Sequence, residues 1–115
     1  ETVGSGGDTE TITINGFREE TVVKNETIAV GGDMSHDVAG NKSSSVGKSE
    51  TTSVANNKTD NIGDTLTVSA TNEINESAKT IKINAGMEMI LSGPGGQIKI
   101  DAGGVTITGV LVKIN

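Results

Sequence analysis

From Ile14 onward an aliphatic or alanine side chain returns at every eighth residue: Ile14, Val22, Val30, Val38, Val46, Val54, Ile62, Ala70 and Ala78, nine positions in succession. The residues between them are mostly Ser, Thr, Asn, Gly and charges. Eight is not a multiple of the ~3.6 residues of a helical turn, and those residue types are poor in helix interiors, so a helix is excluded. Eight is even, however, and a strand alternates its faces every two residues. Between Ile12 and Ala78 nearly every aliphatic holds an even number, including Ile12, Ile28, Met34, Leu66, Val68 and Ile74, while the odd positions are mostly Thr, Ser, Asn, Asp and Gly. The pattern predicts strand-like segments with one apolar and one wet face.

Two residues after the recurring aliphatic stand Gly16, Gly32 and Gly40, with Asn56 and Asp64 at equivalent places. These types tolerate positive φ, which predicts a kink in each octad. Lys24 and Lys48 interrupt the series and predict a gentler or strained corner there. Asn25, Asp33, Asn41 and Asn57 follow next and suit a turn closed by a side-chain hydrogen bond. Each octad thus reads as a short strand, a corner and another short strand. Such a unit is too short to bury its apolar stripe within one chain. Three chains wound about a common axis close a prism and leave no exposed strand edges. The expected fold is all-β, an intertwined triple-stranded β-helix in the form of a triangular prism built by a homotrimer.

Beyond Ala78 the lattice stops. Apolar parity becomes odd at Ile81 and Ile83, even at Ile98 and Ile100, odd at Val105 and Ile107, and even again at Val110, Val112 and Ile114. Each change needs a bulge or loop, most clearly at Ser92–Gly96, where Pro94 has no ladder donor and glycines permit a sharp change of direction. A second β segment follows, with longer, Ile-richer strands and better packing. The expected organisation is a leading segment over 1–11, extended or poorly ordered, an octad shaft over 12–79 and a C-terminal β segment over 80–115 forming the tip-proximal end.

Composition narrows the physical options. Of 115 residues only 32% are hydrophobic, and Phe17 is the sole aromatic. A core built by one chain alone would be thin, which leaves disorder or oligomer-dependent folding. The net charge is −6 and the basic residues are scattered, which argues against a nucleic-acid partner. Without cysteine there is neither a disulfide framework nor a thiolate metal site. No stretch approaches the ~20 apolar residues of a membrane-spanning helix. The chain opens at Glu1 without a charged-then-apolar leader, so the expectation is a fragment of something longer, with no Sec signal in this chain.

The motif aliphatic-x-Gly-(Asn/Asp), seen as VGGD at Val30–Asp33 and VAGN at Val38–Asn41, resembles the octad of the triple-stranded β-helix in the cell-puncturing needles of contractile phage tails. The closing GGQIKIDAGGVTITGVLVKIN, Gly95 to Asn115, is similar to the C-terminal end of VgrG spike proteins of bacterial type VI secretion systems. The resemblance implies a homotrimeric structural spike shaft that pierces a target membrane transiently and carries a tip cap or effectors. It implies a PAAR-like tip protein as partner at the C-terminal end. It also implies assembly in the bacterial cytoplasm and expulsion to the extracellular space or a target cell. The most continuous aliphatic run lies at the end of the chain, Val105 to Ile114, so tip docking is expected at Leu111, Val112 and Ile114. The alternative is a phage tail needle or tail-spike segment engaged in host-surface attachment or penetration. A sugar-binding spike would show exposed aromatics or a carboxylate pair, and the sequence offers neither.

Candidate chemistry is sparse. With one histidine, no cysteine and no catalytic constellation, the chain does not read as an enzyme, and neither catalytic residues nor cofactors are expected. His36 has even parity, so three copies near the trimer axis would offer imidazoles to a metal or anion, a weak candidate for an axial ion. Its column also holds Glu20, Ile28, Ser44, Thr52 and Asp60, so a solvent-facing or water-bonded histidine is the preferred reading. The column of Met34, Lys42, Glu50 and Lys58, ending in Leu66 and Ile74, points inward if the strand stays straight and is solvated if the corner rotates it. Solvation is favoured, because an unpaired buried charge is costly. The glycine pairs Gly6–Gly7, Gly31–Gly32, Gly95–Gly96 and Gly103–Gly104 read as turns, since none is followed by the Lys-Ser or Lys-Thr of a phosphate loop. Calcium-binding nonapeptide repeats are excluded by the period of eight.

Overall fold

The computed structural model describes residue 7 and residues 9–115. Most of the expected leading segment, including Gly6, therefore lies outside the described residues. The fold is all-β, without a helix among the described residues. By internal contacts the chain divides into Glu1–Val54 and Ala55–Asn115.

In the first unit the backbone bends at residues 15–16, 23–24, 31–32, 39–40 and 47–48. The second unit begins with a bend at 55–56 and repeats it at 63–64 and 71–72, with another at 79. These bends keep the eight-residue interval, and each falls directly after an aliphatic or alanine of the lattice. The expected reason for the corner needs correction. Positive φ occurs among the described residues only at Gly7 and Gly104, so Gly16, Gly32 and Gly40 turn without it. An ordinary L-residue can adopt that backbone, which explains how Lys24 and Lys48 occupy the same corner. Nor does an Asn or Asp side chain close the corners at 25, 33, 41 or 57. Between bends the residues are neither helical nor paired into strands.

The second unit ends in a three-stranded antiparallel meander of β1 (Met89–Gly93), β2 (Gly96–Asp101) and β3 (Gly104–Gly109). Alternating Ile, Val and Thr in QIKID and VTIT suit a pleated surface. Ile98 pairs with Leu91 and Ile107, and Ile100 with Met89 and Val105. Directly opposed residues share a face, so six apolar side chains gather on one side of the sheet. Two of the four parity changes read from the sequence, between Ile83 and Ile98 and between Ile100 and Val105, are the two hairpins, each of which joins an odd residue on one strand to an even one on the next.

The hairpins use different chemistry. In the first, Pro94 fixes φ near −65° at the first loop position, which is incompatible with the primed turns preferred by tight hairpins. Gly95 lacks positive φ, which removes a type II turn as well. Close strand approach follows at Gly96, where an added Cβ would lie 2.7 Å from the Thr108 carbonyl oxygen. In the second hairpin the Asp101 carboxylate accepts a hydrogen bond from the Gly103 amide at 2.8 Å, and Gly104 has a φ of 114°. Asp at the first position and a left-handed glycine at the fourth is the pattern of a type I turn followed by a bulge.

No hydrophobic side chain is buried among the described residues. A single copy of this chain has apolar faces but no core.

Candidate functional site

The candidate site is the unpartnered surface itself. Along the octads the lattice aliphatics Ile14, Val22, Val30, Val38, Val46, Val54 and Ile62 are between 44 and 52% exposed, a uniformity that matches the regular bends. On the odd side, Phe17 is 85% and Val23 90% exposed. The lattice positions on the even side are thus half-covered, while Phe17 and Val23 on the odd side stand out into solvent.

Backbone bonding separates the octads from the sheet. Among the described residues, the one backbone–backbone hydrogen bond outside the three strands runs from the Val110 amide to the Gly95 carbonyl oxygen, at 3.2 Å. Residues 9–88 therefore make none with one another. Each non-proline residue has a donor and an acceptor that must find partners if buried. Ordering a residue also costs roughly 1–2 kcal/mol of backbone entropy. No backbone hydrogen bond within one copy of the octad tract offsets that cost.

The even-numbered charges are arranged along the chain rather than across it. Arg18 pairs with Glu20 at 2.6 Å, and Lys58 pairs with Asp60. Both pairs span two residues, the spacing that sets side chains on one face of an extended chain. Lys58 and Glu20 are at least half exposed. His36, Lys42 and Glu50 are exposed as well. Among the described residues no three metal-ligating side chains come together within one copy.

The sheet's second face, polar apart from Ile90 opposite Lys99, carries an ion-pair cluster that the sequence reading missed. Lys99 Nζ lies 3.2 Å from Glu88 Oε2 and 3.3 Å from Asp101 Oδ2. Hydrogen bonding to Glu88, then to Asp101, raises the lysine above its ordinary value. The Gly103 amide, followed by Lys99, lowers the Asp101 carboxyl below its own. The alternation of Lys99 and Asp101 within QIKID was the available signal; the contribution of Glu88 comes from upstream of β1 and has no local pattern.

At the C-terminal end the Val110 bond to Gly95 brings the last residues beside the first hairpin. Leu111 and Val112 line a shallow depression with Gly95, Gly96, Gln97 and Gly109. Ile114 is 91% exposed. Gly31–Gly32, Gly95–Gly96 and Gly103–Gly104 lie at bends or hairpins, and no phosphate-type loop before a helix exists among the described residues.

The Gp5 C-terminal repeat, in its three-copy form, matches residues 24–47. Three copies in that span are eight residues each, the interval of Val30, Val38 and Val46. No curated protein and no solved structure matches the chain. The repeat match supports, at family level, a needle-like structural chain rich in β-structure, and the repeat is not that of an enzyme family.

Proposed function

We propose that this chain is one of three strands of an intertwined β-helical spike, the shaft of a contractile injection machine of the type VI secretion kind. The observation that carries this reading is an eight-residue bend lattice of residues 9–88 that holds an aliphatic stripe yet makes no backbone hydrogen bond within its own chain. Two further copies supply both missing things at once: strand neighbours for the backbone and an interior for the stripe. Nine octads per chain would stack about nine strands on each face, on the order of 43 Å at ~4.8 Å per strand. A closed section without a hinge transmits thrust along its axis and so suits transient piercing of a membrane. The chain performs no catalysis and needs no cofactor, and His36 remains at most a site for an axial ion. A PAAR-like tip protein docks on Leu111, Val112 and Ile114, with effectors as further cargo. The spike is assembled in the bacterial cytoplasm and expelled toward the outside or a target cell.

Light scattering on a size-exclusion column tests the assembly. The full chain should run at three times 11.7 kDa. The same chain lacking Val110–Asn115 should remain trimeric and lose binding of a PAAR-like protein. A folded monomer overturns the shaft, and undiminished tip binding by the shortened trimer overturns the docking assignment.

A further inference from the structure

The octads alone specify their partner chains poorly. Val22, Val30, Val38, Val46 and Val54 are five identical residues at one interval. Sliding one copy past another by eight residues therefore restores valine against valine and keeps every side chain on its proper face. Strand register is well specified only where a shift moves the apolar set off the core face, and an eight-residue shift does not. A shaft of this kind needs a non-repeating element to fix the stagger.

The sheet of β1, β2 and β3 has the required properties. It forms its own hairpins inside one chain, with ladder bonds that the octads lack. Its spacing is not octad-like, so no shift of eight reproduces it. Neither face is covered within one copy: on the central strand the Lys99 and Asp101 side chains are 36 and 34% exposed, and Ile98 and Ile100 on the other face 40 and 42%. Lys99, Glu88 and Asp101 satisfy one another on the polar face. What lacks a partner is the face of Met89, Leu91, Ile98, Ile100, Val105 and Ile107. A sheet ordinarily covers its apolar face first.

We propose that this apolar face packs against the same face of the other copies and sets the register in which the octads then wind. The occupant is a second and third copy of the chain, because the face continues in sequence directly from a tract whose backbone also needs those copies. This deepens the shaft reading and rests on it.

The test uses the full chain with one reporter cysteine, Ser45→Cys, carrying a spin label; the native chain has no cysteine to interfere. Pulsed dipolar spectroscopy on an in-register trimer should give one narrow interspin distance. The variant Ile98→Ser with Ile107→Ser should remain oligomeric but broaden the distribution into several distances, as slipped chains accumulate. A polar-face variant on the same strand, Thr106→Asp, should keep the single distance. Loss of oligomers in the apolar-face variant alone also supports the proposal. Equal broadening in both variants, or a narrow distance in the apolar-face variant, overturns it. A monomeric parent chain would instead overturn the shaft reading and would be evident before any variant is made.

Discussion

The octad tract and the C-terminal sheet solve the same problem with different means. Both set most of their Val and Ile residues on one face and most of their Thr and Ser residues on the other. In the sheet, two tight hairpins bring three strands of one chain into register, so backbone groups pair within that chain. In the octads the corner recurs every eight residues and never reverses the chain into a hairpin, so no ladder forms. The difference lies in the turns rather than in the strand residues. Pro94–Gly95 and Ala102–Gly103 are hairpin loops, whereas Gly16, Gly32 and Gly40 merely deflect a chain that continues onward. Turn chemistry thus decides whether a β sequence completes itself or waits for neighbours.

Disturbing the octad interval should have the largest effect on assembly. Inserting a single Ser after Ser44 moves every later lattice residue to the opposite face. Assembly should be lost altogether, seen as the disappearance of the trimer on a sizing column. Inserting a second copy of Val46–Ser53 preserves the interval and should give a trimer with unchanged thermal stability or a modest gain. Equal damage from the two insertions would mean that the eight-residue lattice does not organise the assembly.

Much of this organisation was legible in advance. The interval, the even parity and the position of each corner follow from periodicity, and the bends fall where that periodicity put them. The conformational reason for the corner was not legible: glycine suggested positive φ, yet the backbone turns without it. Glycine at these places reflects what small residues permit, and composition alone does not distinguish permission from need. Conversely, the sequence marked the parity changes at residues 92–96 and 101–104 without revealing that they close hairpins, because a bulge and a tight turn change parity alike. The Lys99 cluster was hidden for a further reason: Glu88 reaches it through the fold of β1 on β2, a contact with no sequence interval of its own.

A pair of glycine substitutions measures that distinction at intermediate scale. An added Cβ at Gly96 meets the Thr108 carbonyl oxygen at 2.7 Å, and a backbone atom cannot move aside as a side-chain end does. Gly96→Ala should cost about 1–3 kcal/mol through strand displacement. Gly40 has nothing within 4 Å of its added Cβ and no positive φ. Gly40→Ala should therefore stay within about 0.5 kcal/mol. Chemical denaturation of the two variants checks this, and a large loss at Gly40 would show that a neighbouring chain, rather than the local backbone, demands glycine at the corner.

The smallest effect concerns the second hairpin, where pH titrates a turn. Asp101 is held below the usual carboxylate range chiefly by the Gly103 amide and secondarily by Lys99. The folded carboxyl binds its proton less tightly than the unfolded one, so its contribution to the hairpin is whole above the ordinary Asp range. It is lost as the pH falls through the lowered value. Lys99 is displaced the other way, raised first by Glu88 and then by Asp101. Its contribution is whole below the ordinary lysine value and is lost as the pH rises through the raised one. The hairpin is thus supported across the neutral range and weakened at both extremes. These groups face water, so screening keeps the effect modest. Carbon-detected magnetic resonance of the Asp101 carboxyl should show a midpoint below that of an ordinary aspartate. Lys99→Gln should move the midpoint only part of the way back, because the amide bond remains. Full return in that variant would show that the lysine, and not the Gly103 amide, holds the carboxylate and closes the turn.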